Sequence, residues 1–199
     1  MEKYNYDLWK GLFLNDLVEK YQYKNYLELG IAQAETWNNV HAENKVGVDA
    51  NPKCKIDGVV ISTTDEYFSK LDSDVGFDLV FIDACHEKHH VKNDFLNSFD
   101  HLSDNGIIAF HDINSWTEQG ALPYSSHGDC YEFWISLVDN YRENCFSFAG
   151  LGKHQDYVGL FFKNGLSKID KKIFGDMEYG YQFLCENREK YLNSISYVM

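Results

Sequence analysis

The side chains able to do chemistry in this chain are Glu28, Asp49, Asp83, His86, His111 and Asp112, each standing close behind a short apolar run. In FIDACHEKHH (81–90) the run ends at Asp83, and His86 follows three residues later. An imidazole with an ordinary pKa near 6.5 suits proton abstraction at neutral pH, so His86 is a candidate base. Asp83 and Asp112 close two consecutive apolar runs. If these runs are neighbouring strands, their ends lie roughly 5 Å apart, and two carboxylates that close repel unless they share a proton or a cation. A hard divalent ion such as Mg²⁺ relieves the repulsion. His111 as a third ligand would favour Mn²⁺ or another transition metal, and Asn114 offers a further oxygen. The plainer reading of an aspartate at a strand end is the cap of a following helix.

His86-Glu87-Lys88-His89-His90 also spells H-E-x-x-H, a zinc-protease pattern that needs both histidines within one helix. The residues before His86 read as strand, which rejects the protease; His89 and His90 read as solvated side chains. Gly30, following Glu28, lets the backbone turn sharply and approach a ligand. A dinucleotide site would want G-x-G-x-x-G, whereas Gly30, Ala32 and Ala34 hold the alternate positions here. An adenosyl ligand with a positive sulfonium needs less of an anion cradle and tolerates Glu28. Asp49 lies 19 positions after Gly30, where an acidic side chain accepts hydrogen bonds from ribose hydroxyls. Its plainer role is to open the turn Asp49-Ala50-Asn51-Pro52.

These residues need elements to position them. Leu8, Leu12, Leu17 and Tyr21, with Trp9 and Phe13, predict a helix over 7–22. Apolar runs predict strands at 25–31, 45–50, 57–62, 77–84 and 106–112, with a helix-compatible stretch at 34–44. Thr64 is expected to cap a short helix. Val91, Phe95, Phe99 and Leu102 mark one face of another helix, followed by a turn at Asp104-Asn105-Gly106. Residues 113–128 read as a loop in which Trp116, Tyr124 and His127 shape an acceptor pocket. Asp129 is expected to cap a helix carrying Phe133, Leu137 and Tyr141; CFSFAGL and YVGLFFKNG read as strands, and 176–194 as a last helix. Strands alternating with helices specify an α/β fold with an open, mostly parallel sheet, which binds ligands at the carboxyl ends of its strands.

Composition narrows the class. A chain of 199 residues with 44% hydrophobic side chains predicts a single domain, with 1–24 as an N-terminal helical extension and 176–199 as a C-terminal helix. A net charge of −13 repels a phosphate backbone, so nucleic acid is not an expected partner. No apolar run approaches the roughly 20 residues that span a bilayer, so no membrane association is expected. Five cysteines without a C-x-x-C pair, and an N-terminus without a signal-peptide pattern, point to the cytoplasm. Aromatic residues at both ends (Tyr4, Tyr6, Trp9; Tyr179, Tyr181, Tyr191) could form the contact of a homo-oligomer.

Several blocks together resemble a known family. YLELGIAQAETWNNV (26–40), KVGVDANP (45–52), STTDEYFSKL (62–71) and FDLVFIDACHEKHHVKNDFLNSFDHLSDNGIIAFHDIN (77–114) resemble the class I S-adenosylmethionine-dependent methyltransferases of small bacterial and phage type. GDCYEFW, DYVGLFF and FLCENREKYLNSIS are similar to that family's later elements. The resemblance implies a three-layer Rossmann-like sandwich with a seven-stranded, mostly parallel sheet whose last strand is antiparallel. It implies S-adenosyl-L-methionine as cofactor, with Glu28 and Gly30 at the methionine portion, Asp49 at the ribose and Thr64 with Asp65 at the adenine; Asp83 adjoins both cofactor and acceptor. The metal-dependent sugar O-methyltransferases it is similar to imply Mg²⁺ or Mn²⁺ on Asp83 and Asp112, with His111 beside them, His86 as base and a small hydroxylated acceptor such as a sugar. Ala32 and Ala34 stand where the family commonly has glycine. A metal-independent N- or O-methyltransferase, and an inactive binding protein on the same fold, are the alternatives.

Overall fold

The computed structural model describes residues 8–150, 157–175, 177–192 and 194–196. The chain runs α1 (Leu8–Tyr21), β1 (Asn25–Leu29), β2 (Asn44–Asp49), β3 (Val59–Ile61), α2 (Thr64–Lys70), β4 (Phe77–Ile82), α3 (Lys88–Asp100), β5 (Leu102–Phe110), α4 (Cys130–Tyr141), β6 (Cys145–Ala149), β7 (Tyr157–Phe162), α5 (Gly180–Tyr191) and β8 (Ser194–Ser196). The sheet order is β3-β2-β1-β4-β5-β7-β6-β8. β1 to β5 are parallel neighbours, and β7 is antiparallel to both β5 and β6. This is the expected Rossmann-like sheet with its antiparallel seventh strand. β8 adds a three-residue edge strand parallel to β6.

Strand alternation divides the core between two faces. Tyr26, Leu79, Phe81, Ile107 and Ala109 pack under α1 with Trp9, Phe13, Leu14 and Leu17. Leu27, Leu29, Val80, Ile82, Ile108 and Phe110 face the other way, against Phe68 of α2, Phe95 of α3, Phe133 of α4 and Leu184 of α5. Burying a large apolar side chain contributes roughly 1.5–3 kcal/mol, so these two sets fix which way β1, β4 and β5 face. No helix among the described residues is long and apolar enough to cross a membrane.

Several expectations shift. In α1 the buried stripe is Trp9, Lys10, Phe13, Leu14, Leu17 and Val18, whereas Leu8 and Tyr21 are exposed. Residues 34–44 make only a short 3-10 helix at Trp37–Asn39: Ala34, like Ala32 before it, takes a positive φ (64° and 44°) outside the right-handed helical region, and Val40 is already extended. Lys45 Nζ donates to the carbonyls of Trp37 and Val40 at 2.5 and 2.7 Å, satisfying groups a longer helix would have bonded. The cap of α2 is Thr63, whose Oγ1 accepts from the Glu66 N–H at 3.2 Å; Thr64 is the first helical residue. α3 ends at Asp100, and Leu102 opens β5 instead of completing the helical stripe. The turn expected at 104–106 is an irregularity inside β5, where the pairing jumps from Phe77↔Leu102 to Leu79↔Ile107. The last helix is shorter than 176–194. Tyr4 and Tyr6 lie outside the described residues.

Candidate active site

The strand registers set the site in a row. Leu29 is paired with Val48 on one side and Ile82 on the other, and Ile82 with Phe110. The next residues, Asp49, Gly30, Asp83 and His111, therefore stand side by side along the carboxyl rim. Backbone bonds extend the ladder that far: Gly30 N–H to Val48 O (2.8 Å), Asp83 N–H to Leu29 O (2.8 Å) and His111 N–H to Ile82 O (3.1 Å). A Cβ on Gly30, whose φ is +91°, would meet the Asp83 carbonyl at 2.2 Å, so this packing requires glycine.

The rim opens into a cleft with two joined lobes. The larger, about 820 Å³, is lined by Lys10, Glu28, Asp83, His86, His111 and Trp116 among others. The smaller, about 400 Å³, is lined by Asp49, Thr63, Thr64, Asp65, Cys85 and His90. Gly30, Ala32, Asp83 and Ala84 belong to both.

In the smaller lobe Asp49 is held by backbone. Its Oδ2 accepts the N–H groups of Ile31 and Ala32 at 2.9 Å each, and its Oδ1 accepts that of Asn51 at 2.7 Å. Burial alone would raise its pKa, but these N–H donors outweigh burial and the net shift is downward. A carboxylate has about four acceptor positions, so Asp49 keeps room for a further donor. Thr64 and Asp65 border the same lobe; His89 and His90 are exposed, with His90 at its rim.

In the larger lobe side chains converge. One ligand atom from each of Asp83, His86, His111 and Asp112 lies within 4.8 Å of the others. His111 Nδ1 is 2.9 Å from Asp83 Oδ1 and 3.2 Å from Asp112 Oδ2. His86 Nε2 is 3.4 Å from Asp83 Oδ1, and its Nδ1 is 3.3 Å from Asp112 Oδ2 and 2.9 Å from the Ser126 carbonyl. A carbonyl only accepts, so that contact assigns the hydrogen to Nδ1 and leaves Nε2 facing the cleft and Asp83. Burial pushes the His86 pKa down, yet the two carboxylates outweigh it and the net shift is upward. Burial would raise Asp83, but His111, His86 and Lys10 hold it well below the usual carboxylate range. Asp112 reaches the cluster from a backbone at φ +53°, a left-handed conformation that a non-glycine residue adopts at a cost.

Glu28 is 1% exposed, and its Oε2 accepts from the Tyr26 hydroxyl at 2.6 Å. Burial, with Asp83 nearby, pushes its pKa up to about 8 against the opposing effects of Tyr26, Lys45 and Lys10. That shift favours the neutral carboxylic acid at neutral pH. Asn114 Oδ1 accepts from Arg188 Nε at 3.1 Å, which occupies one of the two acceptor positions of that candidate ligand oxygen; its buried Nδ2 has no hydrogen-bond partner among the described residues.

Other positioning groups were invisible in the local sequence. Asp129 stands at the N-cap of α4 without capping it; its Oδ1 instead accepts the Lys88 N–H at 2.7 Å, at the start of α3. Cys130 N–H donates to His86 O at 3.0 Å, and a Cβ on Gly128 would meet that carbonyl at 2.1 Å. The 126–130 segment therefore pins the His86 backbone and ring. Glu87 precedes α3 and its carboxylate accepts the Tyr124 N–H, so His86 stands before the helix, as the rejection of H-E-x-x-H required. Lys10 Nζ reaches Asp83 Oδ2 at 3.7 Å and His111 Nε2 at 3.2 Å. Its signal was a cation on a helical face three, four and seven residues from the apolar Phe13, Leu14 and Leu17.

Comparison with known proteins bears on the family and the fold. A family model described as a methyltransferase domain matches residues 6–113, more than half of the chain. A sequence comparison with curated proteins found no match. Among solved structures, the cofactor-bound Rv0187 from MTB superposes with a TM-score of 0.63 at 16% identity, over 78% of this chain and 80% of that one. An O-methyltransferase from Bacillus cereus in complex with SAH gives 0.60 at 16% identity, over 77% and 80%. The O-methyltransferase TomG from Streptomyces achromogenes, in complex with SAM, gives 0.58 at 16% identity, over 77% and 78%. At such identity these likenesses speak for the fold; with the family match over the segment that builds the rim, the chain belongs to the class I S-adenosylmethionine-dependent methyltransferases.

Proposed function

We propose that this protein methylates a hydroxyl oxygen of a small acceptor, such as a sugar, with His86 as proton acceptor. The observation that carries the reading is the convergence of Asp83, His86, His111 and Asp112 in the larger lobe, with Asp83 lining the smaller lobe as well. A hydroxyl is a poor nucleophile until its proton leaves, and a positioned base answers that need. S-adenosylmethionine supplies a methyl group already activated by a positive sulfur, so the protein's task is mainly positioning and charge.

In this reading Asp49, Thr64 and Asp65 receive the adenosine in the smaller lobe, and Gly30 lets the backbone approach it. Glu28 faces the methionine portion, whose positive charge would draw its carboxyl into the ionised form. His86 Nε2 accepts the acceptor's proton, and Asp83 and Asp112 stabilise the resulting imidazolium while Ser126 holds the ring. The carboxylates of Asp83 and Asp112, with His111 beside them, form a donor set that fits a divalent ion such as Mg²⁺ or Mn²⁺. An ion held there would lower the pKa of a hydroxyl that met it. Trp116, exposed at the larger lobe with the Arg188 guanidinium 4.9 Å over its ring, would border the acceptor.

The test is formation of S-adenosylhomocysteine with a panel of hydroxylated and amine acceptors, with and without chelator. Turnover on hydroxyl compounds is expected, and His86→Ala should lower it by on the order of 10²–10⁴ while leaving S-adenosylhomocysteine binding intact. Transfer to amines alone would overturn the oxygen assignment. Undiminished turnover in chelator would remove the ion and keep the base.

A further inference from the structure

Lys10 is 7% exposed, in the second turn of α1, among Trp9, Phe13, Leu14 and Leu17. A lysine in such surroundings is rare unless paired. The reason it reaches the rim is topological. Glu28, Asp83 and His111 share the strand parity of Tyr26, Phe81 and Ala109, whose side chains pack on the α1 face of the sheet. The acidic end of that face lies under the first turns of α1, and Lys10 Nζ stands 3.7 Å from Asp83 Oδ2 and 3.2 Å from His111 Nε2. An ammonium only donates, so His111 Nε2 accepts and its hydrogen is on Nδ1, the atom lying between Asp83 Oδ1 and Asp112 Oδ2. Lys10 thereby makes His111 a bridging donor to the two carboxylates.

We propose that Lys10 is the resident cation of this cluster, a positioning residue that assembles Asp83 and His111 before any ligand arrives, and that a divalent ion binds only in competition with it. The proposal rests on reading Asp83 and Asp112 as the ion-binding pair. It adds a residue from outside the strand ends and says why this site should hold metal weakly: an incoming dication meets a fixed positive charge and an imidazole whose hydrogen points at the ligand oxygens.

The test is Mn²⁺ titration followed by electron paramagnetic resonance, on wild type, Lys10→Met, Lys10→Arg and Asp83→Asn, with thermal melts to confirm folding. Lys10→Met is expected to bind Mn²⁺ at least about tenfold more tightly than wild type, about 1.4 kcal/mol. Lys10→Arg, which keeps the charge, should stay near the wild-type affinity. A side chain that merely filled space would not separate the two. Should Lys10→Met fail to fold, Lys10→Gln, neutral and able to donate to His111, takes its place. Equal affinity in the neutral and charged variants overturns the proposal; if Asp83→Asn then abolishes binding, the ion-binding reading stands without it. No Mn²⁺ binding by wild type or any lysine variant overturns both. Binding gained only in the neutral variants supports Lys10 and removes the metal from the native enzyme.

Discussion

The two lobes of the cleft are built in opposite ways. Around Asp49 the work is done by backbone: N–H groups of Ile31 and Ala32 after β1 and of Asn51 after β2 converge on one carboxylate, and Gly30, Ala32 and Ala34 all take positive φ. Around Asp83 it is done mainly by side chains drawn from α1, the ends of β4 and β5 and the turn before α3, held by mutual charge, with the Ser126 carbonyl as the one backbone hold on the His86 ring. A lobe made of backbone tolerates sequence change while its loop geometry survives. A lobe made of coupled charges changes with each member, because every group sets the protonation of its neighbours. In the proposed reading the backbone-built lobe receives the cofactor and the charge-built lobe the acceptor.

Breaking both lobes at once should have the largest effect. Gly30→Ala forces a Cβ against the Asp83 carbonyl at an unfavourable φ, and should destabilise the fold by about 3–5 kcal/mol. Urea denaturation measures it, and calorimetry with S-adenosylhomocysteine should show binding lost.

Next comes Glu28→Gln, which probes the charge-built lobe. The folded state keeps the Glu28 proton up to about 8, whereas an unfolded glutamate releases it near 4.5. Stability is therefore lost as pH rises between those values. Glutamine removes that loss and can still accept from Tyr26, so the variant should be more stable than wild type by on the order of 2–4 kcal/mol at pH 8, with little gain at pH 5. Equal gains at both pH values would mean that Glu28 is ionised in the free protein.

Asp49→Ala tests the backbone-built lobe. Three N–H groups lose their acceptor, two of them in a solvent-accessible loop, so a loss of about 1–2 kcal/mol is expected, with weaker S-adenosylhomocysteine binding. The smallest effect is at Ala32, exposed with φ +44°. Ala32→Gly relieves a left-handed alanine but frees the unfolded chain, for a net gain of about 0.5 kcal/mol. A rise of about 1–2 °C in melting temperature would show it; a fall would mean that the alanine is not strained.

The rim residues were legible because a parallel sheet brings the carboxyl ends of its strands to one edge. Asp49, Asp83, His111 and Asp112 could be placed there from the apolar runs alone. The zinc-protease spelling was dismissed for the same reason, since the apolar run ending at Asp83 left His86 no room inside a helix. Helix rotation was less legible: α1 buries Trp9 and Phe13 as expected, yet turns Leu8 and Tyr21 outward and Lys10 inward. The hold of the 126–130 segment on His86 was not legible, although its loop and Asp129 at the start of α4 were. The segment holds His86 through the carbonyl of Ser126, and a backbone carbonyl leaves no mark on residue type.

What the sequence determined by itself is the alternation of apolar runs and helical faces, hence a doubly covered sheet with an acidic, histidine-bearing edge. That much follows from local periodicity, which each segment carries on its own. The tertiary structure alone decided that Asp49, Gly30, Asp83 and His111 align in one row, that Lys10 reaches two of them, and that Arg188 donates to the oxygen of Asn114. Register and helix rotation come from the packing of two partners against each other, and neither partner's sequence contains the other's shape.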